Sequence, residues 1–478
     1  MTIKIRNSKK ILLAGCMLFA VSCSVPSYMR KTATQPVPGK FYNSQDTVSS
    51  GAVRWSDFFK DPYLNALIDT AIKNNQELNV MLQEINIAQN EVRARKGQYL
   101  PFMDVGAGAG VDKVGRYTSR GANDANTDIM PGRPFPEPLP AYALGADVSW
   151  EADIWKRLRN SRKSAVFTYL SSVEGRNFMV TNLVAEIANT YYELMALDNQ
   201  LSILEQNIRI QQDALEIVNL EKTAAKVTEL AVKKFEAEVL KNQSRQFFIR
   251  QRITEAENHI NFLVGRFPQH VNRNSRTFTD LTPDTIRAGL PSQLLANRPD
   301  IRRAEKQLAA ARLDVKVARA GFYPSLRITA GVGFEAFDPK FLIKSPESLM
   351  YSLAGQLVAP LINRNAIKAE YYSANSRQVQ AMYNYQRAVL NAFIEVANQV
   401  SNIDNLTRSF DLKSKQVDAL TQSIRISTGL FKSARADYME VLMTQRDALD
   451  SRFELVETRR LQMNAMVNIY QALGGGWR

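Results

Sequence analysis

Cysteine and histidine, two residue types that build many functional sites, are almost missing from this chain of 478 residues. The only cysteines, Cys16 and Cys23, lie near the N-terminus, which excludes a disulfide framework and a cysteine-based zinc site in the remaining chain. The only histidines are His259 and His270, and no cluster of potential ligands accompanies His259 in its helical stretch. The sequence therefore predicts no enzyme, no metal site and no cofactor.

Long apolar runs are also missing, because no segment beyond the N-terminus offers the roughly 18 apolar residues that a transmembrane helix needs. Residues 11–21 form a shorter apolar run behind a basic stretch, which is typical of a signal peptide. The run ends in Ala-Val-Ser-Cys, similar to the bacterial lipoprotein signal, so we predict a signal peptide over residues 1–22, lipidation of Cys23 and a tether over residues 23–54. Cys16 is the alternative, and an ordinary secretory signal with an incidental cysteine is a third interpretation.

The formal net charge of +14 raises the question of a nucleic-acid partner. Lysines and arginines are dispersed along predicted helices beside acidic residues, and no aromatic RNA-binding motif or recognition helix is recognisable. We therefore predict no nucleic-acid binding. A hydrophobic fraction of 45% with 23% charged residues is typical of a folded chain and argues against general disorder.

An internal repeat of long helices dominates the sequence. Apolar residues recur every seven positions over residues 173–215 and again over residues 382–424, and each position of the second series lies 209 residues after its counterpart. Neither glycine nor proline interrupts residues 176–223 or 366–427, and a sustained period of seven indicates packing against neighbouring helices. A solvated coiled-coil dimer is the alternative for this feature, and a structural coiled-coil lipoprotein of the envelope is the alternative function.

A pair of segments that alternate between apolar and polar or small residues precedes each long helix. The pattern predicts one β-hairpin at about residues 101–151 and another at about residues 324–360. Strands of roughly ten alternating residues are typical of outer-membrane β-barrels, although a soluble two-sided sheet would show the same pattern. Four strands cannot close a barrel, and an open edge in lipid would leave backbone groups unpaired, so several chains must share one barrel.

Short motifs in a fixed order resemble the TolC-like outer-membrane efflux channels, and more closely the OprM-like lipoprotein branch that serves resistance-nodulation-division pumps. They occupy residues 55–64, 290–295, 297–305, 318–324, 359–361 and 470–477. The resemblance covers nearly all of the chain beyond the signal peptide. Each motif alone is too short to be specific. The resemblance is specific because the motifs occur in a fixed order within a chain of two similar halves.

The resemblance implies a mainly α fold with a pair of β-hairpins, assembled as a homotrimeric outer-membrane duct. A twelve-stranded β-barrel, a long α-helical periplasmic barrel and a mixed equatorial belt would form this duct. Residues 55–270 would be the first structural repeat, residues 271–290 an equatorial segment and residues 291–478 the second repeat. The implied partners are a periplasmic adaptor protein, an inner-membrane resistance-nodulation-division pump and outer-membrane lipid.

The function implied by the resemblance is a passive, gated channel of a tripartite efflux pump. It would be anchored in the outer membrane, extend into the periplasm, and export drugs or other small toxic molecules. The alternatives are a duct for type I protein secretion and a duct for metal efflux.

A gate is expected at the turns between the paired helices of each half. The resemblance implies a periplasmic constriction with acidic side chains and a basic one, and Arg435, Asp437 and Glu440 are the matching or nearby residues. A solvated helix tip is the alternative interpretation of all three. Where a second acidic residue often follows in the family, this chain has Met443.

Glycines that are usual in the family are missing at several turns. Asp153-Ile154-Trp155-Lys156 stands where Asp-Leu-Phe-Gly is common, and residues 361–365 lack the usual glycine pair. At the helix tips Ala225 and Ala434 replace glycine, and alanine at these positions predicts that the tips avoid positive φ.

Overall fold

A computed structural model describes residues 38–41, 47–283, 287–433 and 435–478. The predicted signal peptide, Cys16 and Cys23 lie outside the described residues. The α-helices in the described residues are α1 (Trp55–Phe58), α2 (Pro62–Asn74), α3 (Gln76–Tyr99), α4 (Ser119–Asp124), α5 (Arg157–Thr223), α6 (Glu229–Val264), α7 (Pro291–Asn297), α8 (Pro299–Ala320), α9 (Asn365–Lys432) and α10 (Tyr438–Ala472). The strands are β1 (Phe102–Asp112), β2 (Asp128–Met130), β3 (Arg133–Pro134), β4 (Leu139–Ala152), β5 (Ser325–Ala336) and β6 (Leu349–Val358).

The two long helices predicted from the repeat are α5 and α9, with 67 and 68 residues. On α5 the seven-residue series places Val180, Ile187 and Leu194 in the core, since each is almost fully buried. Among the described residues, no helix combines the length and the apolar character needed to cross a membrane.

Side-chain hydrogen bonds to backbone amides fix the first residues of the helices α2 and α3. Asp61 is extended, and its side chain accepts hydrogen bonds from the backbone amides of Tyr63 and Leu64 at 2.8 and 3.4 Å. Pro62 occupies the first turn, where its missing amide hydrogen costs nothing. The side chain of Asn75 caps α3 in the same way, through the amide of Leu78 at 3.0 Å.

The chain divides into two compact units. Among the described residues, one unit holds residues 86–170 and 306–382, and the other holds residues 38–85, 171–305 and 383–478. The first unit contains the four-stranded sheet and a small cluster of buried residues at the ends of α8 and α9, built on Phe322 and Tyr371.

The sheet is antiparallel, in the order β1-β4-β5-β6. The hairpins of the two repeats therefore join through β4 and β5, with Trp150 opposite Ile328. Gly145 and Gly333 allow a close approach at this join, because a Cβ on Gly333 would lie 2.6 Å from the carbonyl oxygen of Leu144. The outer strands β1 and β6 are exposed along their entire length.

The second unit contains the main hydrophobic core. It is formed by α2, α6, α10 and the middle of α5, with Ile68, Tyr191 and Tyr470 among its fully buried side chains. The ring of Phe58 stacks on Tyr470 at a centroid distance of 3.9 Å. This stacking attaches the motif at residues 55–64 to the C-terminal helix.

Candidate functional site

The tip of the second helical hairpin lies between Lys432 at the end of α9 and Tyr438 at the start of α10. A hydrogen bond from the backbone amide of Arg435 to the carbonyl oxygen of Leu430, at 2.9 Å, closes the turn. Asp437 is the N-cap of α10, and its side chain forms no capping hydrogen bond.

The three residues predicted for the constriction lie together on this tip. Arg435, Asp437 and Glu440 are all exposed. Within the described part of the chain, no ion pair or side-chain hydrogen bond occupies any of the three. Their charged groups are therefore available to solvent or to groups outside this chain.

Packing fixes this tip against the tip of the first hairpin. Tyr438 and Leu442, on either side of Glu440, pack against a cluster that includes Val218 and Phe235 of α5 and α6. The charged groups at residues 435–440 therefore sit on a supported turn, and changing them leaves this apolar cluster intact.

The first tip differs because its charges pair within the chain. Lys222 at the end of α5 forms an ion pair with Glu229 at the start of α6. Both side chains are about half exposed, so we expect this pair to contribute little stability.

The expectation that alanine spares the tips from positive φ is wrong at Ala225, where φ is +56°. The amides of Ala225 and Lys226 donate to the carbonyl oxygens of Lys222 and Glu221, both at 2.9 Å. This pair of hydrogen bonds is the Schellman motif, which places the residue after the helix in the left-handed conformation whatever its side chain. Ala434 lies outside the described residues.

The turn from β4 into α5 also uses positive φ without glycine. Lys156 has φ of +60°, at the position where the family motif often has glycine. Asn363, in the turn from β6 into α9, has φ of +52°. Asparagine tolerates this conformation better than lysine does.

The turn from β4 into α5 brings two aromatic rings together near the ends of the strands. Trp155 stacks on Tyr323 at a centroid distance of 4.7 Å, and its indole nitrogen donates to the carbonyl oxygen of Pro324 at 2.8 Å. Both side chains are amphipathic and belong to segments that flank the sheet, as residues at a membrane interface do.

Arg298, from one of the motifs that carried the resemblance, is a buried cation of the second unit. Its guanidinium donates to Asp300 at 2.7 and 3.0 Å, to Glu395 at 2.6 Å, and to the carbonyl oxygen of Ala472 at 2.9 Å. Burial alone would lower the pKa of Arg298, but the hydrogen bonds and charges of Asp300 and Glu395 raise it. Arg298 therefore stays charged and ties α8, α9 and α10 together beside a cavity of about 220 Å³.

A second buried cation was not predicted. Arg273 pairs with Asp198 and Glu257, and Ser275 and His270 bond to the same two carboxylates. Asp198 and Glu257 lie 75 and 16 residues from Arg273 in the sequence, so no local spacing could indicate the cluster. Neither here nor elsewhere in the described residues does a group of three or more histidine, cysteine or acidic side chains form a candidate metal site.

Comparison with known proteins identifies the family to which this sequence is similar. The model of the outer membrane efflux protein family matches residues 67–266 and 290–475. The pyoverdine export outer membrane protein OpmQ of Pseudomonas aeruginosa is 27% identical over 467 residues, which cover 98% of this chain and 96% of that protein. The probable outer membrane lipoprotein SilC of Salmonella typhimurium is 24% identical over 471 residues, which cover 98% and 97%.

A solved channel has the same fold. The structure of the open state of the MtrE outer membrane channel of Neisseria gonorrhoeae matches with a TM-score of 0.81 and 24% identity, over 95% of this chain and 99% of that chain. The fold is that of an outer-membrane efflux channel. The chain belongs to the outer membrane efflux protein family, and its resemblance to TolC-like channels is confirmed. It is an outer-membrane efflux protein.

Proposed function

We propose that the chain forms a homotrimeric, passive duct in which three copies share a twelve-stranded barrel. The support is the pair of free edges in the four-stranded sheet, since β1 and β6 have a neighbour on one side only. An unpaired edge in lipid would leave backbone groups without hydrogen-bond partners, and pairing β6 of one copy with β1 of the next removes every edge. The family resemblance supplies the number three.

Each chain of the assembled duct would consist of a signal peptide, a tether and two structural repeats. Residues 1–22 would be the signal peptide, residues 23–54 the tether, and residues 55–270 and 291–478 the two repeats, separated by an equatorial segment at 271–290. Each repeat contributes one hairpin of the sheet and one pair of long helices, which would form the periplasmic barrel.

The duct would carry small toxic molecules, including drugs, out of the cell. The name of the relative OpmQ assigns it pyoverdine export, which supports outward transport of a small molecule. The chain would receive its cargo from a resistance-nodulation-division pump of the inner membrane through a periplasmic adaptor. No catalytic group or cofactor is required, because a passive duct needs only a suitable lumen and a gate.

The gate would be formed by Arg435, Asp437 and Glu440 around the pore axis. Their exposure and their lack of partners among the described residues support contacts to neighbouring copies. The existence of an open-state structure for MtrE supports a channel of this fold that opens and closes.

Cys23 would carry the lipid, and the likeness to the lipoprotein SilC supports an acylated N-terminus. Cys23→Ala should abolish fatty-acid labelling of the protein, whereas Cys16→Ala should leave it intact. Labelling that disappears only in the Cys16→Ala variant would assign the lipid to Cys16.

The trimer is tested by linking the free edges of the sheet. We would combine Val105→Cys in β1 with cysteine at Tyr351, Leu353 or Gly355 of β6, and oxidise the protein in membranes. At least one combination should give covalent species of up to three copies, while each single-cysteine variant should give none. A monodisperse monomer that retains all four strands would contradict the proposal.

Conductance distinguishes a duct from a structural lipoprotein. The purified protein should give discrete single-channel currents in a planar bilayer. Absence of currents from a stable trimer would support the structural alternative.

A further inference from the structure

A second cavity of the same unit, about 580 Å³ in volume, lies between α9 and α10 beside the segment at residues 282–283. Ile403, Phe410 and Met466 form its apolar walls, while Thr407 and Asp411 lie at its exposed margin. It is larger than the cavity beside Arg298, and none of the residues discussed for the gate or for the Arg298 cluster lines it.

The cavity is lined by a buried cation. Only 8% of Arg459 is exposed, and its guanidinium carbon lies 3.7 Å above the centre of the Phe410 ring. Stacking of this kind leaves the edge of the guanidinium, which carries its five N–H donors, directed away from the ring.

The Nε–H donor of Arg459 is unused in the described part of the chain. One Nη donates to the side-chain oxygen of Gln462 at 3.0 Å, and Gln462 in turn donates to the carbonyl oxygen of Leu406 at 3.3 Å. The Nε atom of Arg459 is buried and has no hydrogen-bond partner. A buried guanidinium with an unmet donor is costly, so the site favours an acceptor that the chain itself does not supply.

The acidic groups nearby do not pair with Arg459. Asp411 lines the same cavity but forms an ion pair with Lys415 at 2.7 Å. Asp280 acts on Arg459 through its charge alone, without a hydrogen bond. Burial lowers the pKa of Arg459, and the charge of Asp280 offsets this only in part.

Arg459 also contrasts with Arg298 and Arg273, the other buried arginines described above. Each of those two bonds to two carboxylates, whereas Arg459 bonds to one neutral amide. A guanidinium without a carboxylate partner, a cavity of sufficient volume and apolar walls therefore occur at one place. Together they define a site for a molecule that has one negative charge and an apolar body.

We propose that this cavity binds a small organic carboxylate. Its oxygens would accept hydrogen bonds from the guanidinium of Arg459, and its apolar part would lie along Ile403 and Met466. The planar fork of arginine matches a carboxylate, and the apolar walls favour an organic acid over an inorganic anion. This inference does not depend on the gate or on the identity of the exported cargo.

The test uses the full-length protein in lipid nanodiscs, with benzoate as the probe and isothermal titration calorimetry as the readout. Benzoate should bind, and its neutral analogue benzamide should bind at least about tenfold more weakly, since only benzoate supplies a charged acceptor. Phosphate should also bind more weakly than benzoate, because it cannot use the apolar walls.

Variants locate the site. Arg459→Met keeps the length of the side chain and should weaken benzoate binding at least about tenfold. Arg459→Lys, which keeps the charge and is the milder change if the first variant folds poorly, should weaken it less. Arg446→Met is the matched control, because Arg446 lies exposed on the same helix and pairs with Asp447.

Several outcomes would overturn the proposal. Equal affinities for benzoate and benzamide would show that the guanidinium takes no part, and unchanged binding in both Arg459 variants would place the probe elsewhere. Phosphate binding as tight as that of benzoate would exclude an organic ligand. Failure of benzoate to bind the unmodified protein would show that the cavity is not a site for an organic carboxylate.

Discussion

The carboxylate of Asp153 accepts a hydrogen bond from the backbone amide of Arg159 at 2.9 Å and another from its side-chain Nε at 3.1 Å. The amide of Leu158 donates to the other carboxylate oxygen at 3.0 Å. A single buried side chain therefore caps the first turn of α5 directly after β4. This contact couples the sheet to the longest helix of the first repeat.

Asp153→Ala should lower the free energy of unfolding by about 1 to 2 kcal/mol, because two backbone amides lose their acceptor. Urea unfolding in detergent, followed by circular dichroism, measures the change. Asp69→Ala is the matched control, since Asp69 forms an exposed ion pair with Lys73 that is worth only a few tenths of a kcal/mol. Equal losses in the two variants would contradict a capping role.

The Asp153 contribution should depend on pH. Burial acts to raise the pKa of Asp153, but the amides of Arg159 and Leu158 and the Arg159 guanidinium outweigh it and hold the pKa below its usual range. Stability from a carboxylate with a lowered pKa is fully present above its unfolded value and is lost as the pH falls through the folded value. The difference between Asp153→Ala and the unmodified protein should therefore be constant near neutral pH and shrink below about pH 4.

Lys156→Gly should raise the free energy of unfolding by about 1 kcal/mol, because glycine adopts positive φ without the steric cost of a Cβ. Asn363→Gly should give a smaller gain, since asparagine tolerates this conformation. Lys163→Gly, at an exposed position inside α5, is the control and should cost about 1 kcal/mol. A loss of stability in Lys156→Gly would show that the lysine side chain stabilises the turn.

Periodicity predicted the main elements well. The hairpins expected at residues 101–151 and 324–360 correspond to strands that span residues 102–152 and 325–358, and both long helices were found. These elements bury or pair one consistent face over many residues, so their pattern is strong. The short elements α4, β2 and β3 inside the first hairpin loop were not predicted, because segments of two to six residues carry too little periodicity.

The turns and buried charges were harder to foresee. The positive φ of Ala225 follows from two backbone hydrogen bonds of the turn. Alanine can adopt this conformation at an energetic cost, but its presence in the sequence does not predict it. Arg459 lies on the buried side of α10, where an apolar residue is expected, and its stacking on Phe410 involves a different helix. Such contacts depend on how the helices pack, so no local sequence pattern predicts them.

Arg298→Met should destabilise the second unit by about 3 kcal/mol, because it leaves Asp300 and Glu395 without their shared cation. Heat or urea unfolding of the purified protein measures the loss. Arg408→Met removes an exposed ion pair with Asp404 and should cost less than about 0.5 kcal/mol. Similar losses in both variants would mean that Glu395, which is half exposed, and solvent compensate for the missing guanidinium.

The gate gives the most direct functional prediction. Arg435→Ser, or Asp437→Ala combined with Glu440→Ala, should raise single-channel conductance and admit larger antibiotics into cells, because charge-assisted contacts between copies would be lost. The stability of the proposed trimer should change little, since the apolar cluster that Tyr438 packs against remains intact. The unmodified channel should prefer cations, because acidic groups at the proposed constriction would control the local field.

The first tip supplies the matched control for this prediction. Lys222→Ser combined with Glu229→Ala removes the ion pair of that tip, whose charges are already neutralised within the chain, and should leave conductance unchanged. The decisive variant removes Arg435, Asp437 and Glu440 together. If its conductance and cation preference equal those of the unmodified channel, the three residues are a solvated helix tip and the constriction lies elsewhere along the duct.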